Sequence, residues 1–144
     1  AGIAEETEPH IDYAKRFRTN EFVIHDRVDA ISHATCGMAI DIGAKVIVVT
    51  SMSGMTVRMV SRFRAPTDIV GMATNKRVWY KLSLSWGVLP VLSEQFNSTD
   101  VLFYHALRAA RDTMHLQPGD NVVMTGGITN GKSGNTNLIK IEAV

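Results

Sequence analysis

Four hydroxyl side chains and a glycine follow a run of β-branched apolar residues in the segment VIVVTSMSGMTVR, residues 46–58. These polar residues are Thr50, Ser51, Ser53, Gly54 and Thr56. Hydroxyl groups and the backbone N–H groups at the start of a helix bind anions, and a glycine lets the backbone curl closely around a ligand. The segment therefore predicts a phosphate cradle at the end of a strand. An ordinary strand–helix loop, whose hydroxyls only cap the helix, remains the alternative.

A second segment has a composition suited to the same ligand. The run GGITNGKSGN, residues 126–135, follows another apolar run and contains Lys132, Ser133 and Gly134. A lysine ammonium is a point charge that pairs with phosphate. In a doubly wound sheet this loop could lie near the first one. The alternative is a plain hairpin connection, for which Asn130-Gly131 is a suitable turn.

Other arrangements that carry out catalysis are missing from the sequence. The five histidines show no metal-ligand spacing, and there is neither a P-loop nor a G-x-G-x-x-G or G-x-S-x-G motif. His33 and Cys36 stand one helical turn apart, which is more typical of a packed helix face than of a catalytic dyad. We therefore predict no catalytic residue, no metal ligand and no cofactor in this chain.

The bulk composition is that of one globular domain. The chain has 144 residues, 45% hydrophobic and 20% charged, and no apolar run approaches the roughly 20 residues that span a bilayer. A single cysteine forbids an internal disulfide and fits a reducing compartment. The formal net charge of +1 argues against a nucleic-acid surface. We predict one domain, residues 1–144, in the cytoplasm, with neither a nucleic acid nor a membrane as partner.

Helical and strand patterns alternate along most of the chain. A helix is predicted over 27–42, where apolar residues and Thr35 recur at helical spacing between Asp26 and Gly43. Further helices are predicted over 54–63, 75–84 and from 98 onward, with strands at 46–49, 68–72, 88–92, 121–125 and 138–144. Pro90 is unusual inside a strand. The pattern predicts an α/β three-layer sandwich, a mostly parallel five-stranded sheet with helices on both faces and an antiparallel last strand.

Three motifs occur in this order along the chain: S-G-M-T-V-R, W-G-V-x-P-V-L and S-G-N-T-N-L-I-K. Together they resemble the C-terminal domain of pyruvate kinase, most closely the bacterial enzymes, and the resemblance runs from about Ile3 to Val144. Residues 1–20 resemble the helix that leads from the family's catalytic barrel into this domain. The resemblance implies that the barrel, with its Mg²⁺ and K⁺ ligands, lies upstream, so this chain alone should not transfer phosphate.

The resemblance also implies an allosteric site and an assembly. In several family members the loop that corresponds to residues 50–56, here called the hydroxyl loop, holds a phosphate of an effector sugar. The family's effector loop corresponds to Gly126–Gly134. Leu102 stands where members that bind fructose 1,6-bisphosphate place an arginine, which implies a single phosphate and hence AMP or a sugar monophosphate. The family is tetrameric, and residues 137–144 with the helix 27–42 are the candidate contact surface.

The leading hypothesis is the regulatory and oligomerisation domain of a pyruvate kinase, with its own barrel, a phosphorylated effector and further copies of itself as partners. A free-standing phosphometabolite-binding module of the same fold is the alternative. A small phosphatase or kinase, and a structural tetramerisation domain without a ligand, are further alternatives.

Overall fold

The computed structural model describes residues 12–50, 54–96, 98–126 and 136–144. The helices of these ranges are α1 Tyr13–Thr19, α2 Arg27–Ile42, α3 Met55–Arg62, α4 Lys76–Ser83 and α5 Thr99–Met114. The strands are β1 Val46–Thr50, β2 Asp68–Ala73, β3 Val88–Leu92, β4 Asn121–Gly126 and β5 Leu138–Ala143. None of these helices is long and apolar enough to cross a membrane.

The strands form one sheet in the order β3-β2-β1-β4-β5. Four neighbouring strands are parallel, and β5 runs antiparallel to β4. The chain moves outward from β1 to β2 and β3, and then returns through α5 to β4 on the other side of β1. The predicted fold class, including the antiparallel last strand, is confirmed.

Each face of the sheet carries its own core. On one face, Ile47, Val49 and Val123 pack with side chains of α1 to α4. On the other face, Val46, Val48, Val122 and Met124 pack with Phe103, Ala106 and Ala110 of α5. The strands in the middle of the sheet are therefore apolar on both faces, as in other parallel sheets.

The helix ends follow the local chemistry of the sequence. The Asp26 carboxylate accepts a hydrogen bond from the backbone N–H of Asp29 at 2.8 Å, and Gly43 ends α2 in the left-handed region with φ of 62°. Asn75 caps α4 in the same way by accepting from the Val78 N–H at 2.9 Å. Pro90 lies on β3, an edge strand, where a missing N–H is tolerated.

The buried face of α2 matches the predicted stripe only in part. Val28 and Thr35 of that stripe are buried, whereas Ile31, Met38 and Ile42 are half-buried. The other buried residues of the helix are small or polar: Asp29, Ser32, Cys36 and Ala39. Small side chains allow α2 to pack closely against its neighbours, so tertiary packing decides which side of the helix is most deeply buried.

The predicted leading helix over residues 1–20 is described only in part. Helix α1 covers Tyr13–Thr19, with Asp12 as its N-cap, and buries Phe17. Residues 1–11 lie outside the described ranges.

Candidate functional site

The carboxyl ends of β1 and β4 lie side by side, at the point in the sheet where the helical connections pass to opposite faces. From β1 the chain continues through α3 on one face of the sheet, whereas β4 is reached through α5 on the opposite face. Open α/β sheets bind ligands in the crevice at such a switch point. The two segments predicted to bind phosphate begin at these two strand ends, so the topology brings them to one edge.

Thr50, the last residue of β1, connects the two strand ends. Its hydroxyl donates a hydrogen bond to the Thr125 carbonyl at 3.4 Å, and the side chain is buried. A Cβ built on the neighbouring Gly126 would overlap the Thr50 Oγ1 atom. Glycine at position 126 therefore leaves the space that the threonine hydroxyl occupies.

Gly54 starts α3 in the backbone conformation that favours glycine. It is the N-cap, its φ is 79°, and its carbonyl accepts the Arg58 N–H at 3.0 Å. A Cβ at this position would stand 3.1 Å from both Leu82 Cδ2 and Val78 Cγ1. The turn into α3 is thus pressed against α4, and the positive end of the α3 dipole points to the edge that the strand ends share.

Thr56 in the first turn of α3 contacts the residue that directly follows the second predicted segment. Its hydroxyl lies 2.8 Å from the Thr136 hydroxyl, a hydrogen bond between residues 80 positions apart. Thr56 is 1% exposed and Thr136 is 8% exposed, so water does not compete for this bond. The start of α3 and the segment that enters β5 are held together directly.

Two more hydrogen bonds fix the chain just before β5. The Asn137 N–H donates to the Gly126 carbonyl at 3.1 Å, and the Thr125 hydroxyl donates to the Leu138 carbonyl at 3.0 Å. Gly126 and the residues that enter β5 are therefore anchored together at the carboxyl edge of the sheet.

Of the predicted phosphate-binding residues, the structure places Thr50, Gly54 and Thr56 at this edge. Ser51, Ser53, Lys132, Ser133 and Gly134 lie outside the described residues. Sequence reasoning missed Thr125 and Thr136, which supply the hydroxyl contacts across the site. Thr136 stands within the S-G-N-T-N motif, but an isolated threonine carries no signal of a partner 80 residues away.

A family model described as pyruvate kinase, alpha/beta domain, matches residues 29–142. The chain belongs to this family. A pyruvate kinase of Clostridium acetobutylicum is 35% identical to the whole of this chain, which covers 31% of that protein. A pyruvate kinase of Staphylococcus saprophyticus is 32% identical over 99% of this chain and 24% of its own length. This pyruvate kinase domain thus spans between 22% and 31% of the length of these curated relatives.

The fold of the domain also recurs in a solved structure. A pyruvate kinase from Cryptosporidium parvum superposes with a TM-score of 0.77 over 94% of this chain and 27% of that one. The sequence identity is 22%, so this likeness concerns the fold. It agrees with the mixed sheet and with the helices on both of its faces.

Residues discounted as catalytic have packing partners in the pyruvate kinase domain. His33 stacks on Phe17 with ring centroids 4.8 Å apart. Cys36 is fully buried, its thiol points to the Val60 carbonyl at 3.6 Å, and burial raises the pKa of this thiol to about 12. A thiol in that state is a poor nucleophile. Among the described residues, no group of His, Cys, Asp or Glu side chains is arranged to hold a metal ion.

Proposed function

We propose that this chain is the regulatory and oligomerisation domain of a pyruvate kinase and that it binds a phosphorylated effector at the carboxyl edge of its sheet. The hydrogen bond between Thr56 and Thr136 is the observation that carries the proposal. It holds the residue that follows the second segment against the start of α3, which supports the idea that two segments, each suited to phosphate by its own composition, form one site.

The proposed phosphate contacts combine fixed dipoles with a charge. Thr50, Ser51, Ser53, Gly54 and Thr56 would surround the anion at the start of α3, where the helix dipole favours negative charge. The second segment would supply Lys132, Ser133 and Gly134. The Thr56 hydroxyl would exchange its hydrogen bond with Thr136 for one with a phosphate oxygen, or would bond to both.

A single phosphate group fits the surroundings of α5 better than two. Leu102 is buried, and Phe103, Ala106 and Ala110 of the same helix also face inward. The resemblance places an arginine for the second phosphate at position 102, where this chain has an apolar side chain instead. We therefore propose AMP or a sugar monophosphate as the effector, rather than a bisphosphate.

The activity of the whole protein is also part of the proposal. A complete enzyme would convert phosphoenolpyruvate and ADP into pyruvate and ATP in the cytoplasm, on a catalytic barrel that holds Mg²⁺ and K⁺. The domain described here would contribute regulation and contacts within a tetramer. A free-standing phosphometabolite-binding module of the same fold is the second candidate.

Thermal unfolding with a panel of phosphorylated compounds tests the site. The panel is AMP, ribose 5-phosphate, glucose 6-phosphate, fructose 1,6-bisphosphate and inorganic phosphate. A ligand at 100 times its Kd stabilises the folded state by about 2.7 kcal/mol, which raises the Tm of a domain of this size by several degrees. We expect such a shift with AMP or a sugar monophosphate. No shift with any compound would contradict effector binding by this chain.

Matched variants locate the ligand. The double variant Ser53→Ala plus Thr56→Ala should abolish the shift, because each lost hydrogen bond to a charged group costs about 1.5–3 kcal/mol. Thr56→Ser keeps the hydroxyl and should retain binding, and Ser83→Ala removes an exposed hydroxyl from α4 as a control. An unchanged Kd in the double variant would refute the site.

A barrel encoded upstream in the same reading frame would support the enzyme, whereas an initiating methionine directly before Ala1 would favour the free-standing module.

A further inference from the structure

A cavity of about 340 Å³ lies beside α5, on the face of the sheet that this helix covers. Helix α5 packs over β1, β4 and β2, so a trough remains along β3. Met72 of β2 and Val91 of β3, paired in the sheet, contribute to its floor, and Ala109 of α5 adds to the apolar lining. The volume stands at the lower end of small-molecule sites, which span roughly 300–1,000 Å³.

Charged side chains of both signs line this cavity. Arg108 and Asp112 stand one turn apart on α5, and Glu94 follows β3. None of the three forms an ion pair or a side-chain hydrogen bond with any residue in the described ranges. Their charges are therefore available to a ligand.

Two rings complete the lining. Phe96 and His105 stack with centroids 4.4 Å apart and an angle of 7° between their planes. The pair adds a flat apolar surface to the floor of Met72 and Val91. An aliphatic or aromatic group of a ligand could pack there.

We propose that this cavity binds a free amino acid with an apolar side chain. A purely anionic ligand would be repelled by Glu94 and Asp112, and a purely cationic ligand would be repelled by Arg108. A zwitterion can place its carboxylate at Arg108 and its ammonium at the two acids, while its side chain covers the apolar floor. This site is separate from the proposed phosphate cradle and does not depend on it.

Titration of this 15.8 kDa chain with L-leucine, followed by amide chemical shifts in NMR spectra, tests the proposal. L-leucine should give saturable shifts at residues that line the cavity. N-acetyl-L-leucine lacks the ammonium and L-leucinamide lacks the carboxylate, so each should bind at least about tenfold more weakly, which corresponds to 1.4 kcal/mol. No saturable shift up to about 10 mM L-leucine, or binding of either derivative as tight as that of L-leucine, would overturn the proposal.

Substitutions on one helix supply the matched control. Arg108→Met should weaken L-leucine binding at least about tenfold. Arg111→Met removes the same charge from an exposed position of α5 that does not line the cavity, and should leave the Kd unchanged. Asp112→Asn should weaken L-leucine more than it weakens N-acetyl-L-leucine. Equal affinities of Arg108→Met and Arg111→Met would overturn the proposal even if wild-type protein binds leucine.

Discussion

At the scale of single residues, Cys36 shows how burial determines chemistry. The thiol lies between α2 and α3 in the core, and desolvation raises its pKa from 9.0 to about 12. It stays protonated and packs as a small apolar group. Cys36 therefore belongs to a packed helix face and not to a catalytic dyad with His33, as predicted.

The raised pKa of Cys36 predicts a pH dependence of stability. Above pH 9 the unfolded chain loses the thiol proton while the folded chain keeps it, so the free energy of unfolding falls as pH rises from about 9 towards 12. The contribution approaches about 1.4 kcal/mol per pH unit. Urea unfolding between pH 8 and pH 10.5 should show a steeper fall for wild type than for Cys36→Ala. Parallel curves for the two proteins would contradict this prediction.

The hydroxyl pair of Thr56 and Thr136 predicts a measurable coupling. Thr136→Val leaves the buried Thr56 hydroxyl without this partner, which should cost about 1–3 kcal/mol of stability. Thr56→Val plus Thr136→Val removes both polar groups and should cost less than the sum of the two single changes. Urea unfolding of the four proteins gives this coupling energy. Additive effects would mean that the bond is energetically unimportant.

At the scale of elements, α2 separates what local sequence can predict from what it cannot. Its two ends follow from Asp26 and Gly43, whose capping roles depend only on neighbours in the chain. Its buried face includes Asp29, which accepts the His25 N–H at 3.2 Å and lies 3.7 Å from an Arg62 nitrogen of α3. From the sequence, Arg62 is only one of several arginines near the end of a helix. Its ion-pair partner Asp29 depends on how α2 and α3 pack together.

The same distinction applies to the candidate site. The position of the hydroxyl loop at the end of β1 could be predicted, since strand and helix patterns are local. The bond from Thr56 to Thr136, and the space that Gly126 leaves for Thr50, could not be predicted, because both depend on β4 lying beside β1.

The cap of α2 provides a prediction for this element. Asp26→Ala removes the acceptor for the Asp29 N–H and should lower the free energy of unfolding by about 1 kcal/mol. Asp26→Asn keeps an acceptor and should recover most of that loss. Glu21→Ala, an exposed carboxylate outside the helix, is the control. Equal stability of Asp26→Ala and Glu21→Ala in urea unfolding would show that the cap contributes nothing.

At the scale of the whole molecule, the two edges of the sheet differ. Pro90 interrupts the hydrogen-bonding capacity of β3, whereas β5 has no proline. Strand β5 exposes Leu138 and Ile141 by 42% and 41%, and Lys140 pairs with Glu142 at 2.8 Å. This hydrogen bond raises the pKa of Lys140. An open strand edge with exposed apolar side chains is suited to pairing with another chain.

The β5 edge and α2 form one continuous surface, which makes the proposed self-association testable. Ile141 pairs with Val123 in the sheet, and Val123 faces the core that α2 covers, so Ile141 points to the same side as α2. Ile141→Lys should lower self-association at least about tenfold in sedimentation experiments over a range of concentrations, because it places a charge in an apolar contact. Leu84→Lys, on a residue 89% exposed after α4 and away from this edge, should change nothing. If Ile141→Lys associates like wild type, or wild type stays monomeric at every concentration, the β5 edge is not a contact that this chain forms by itself.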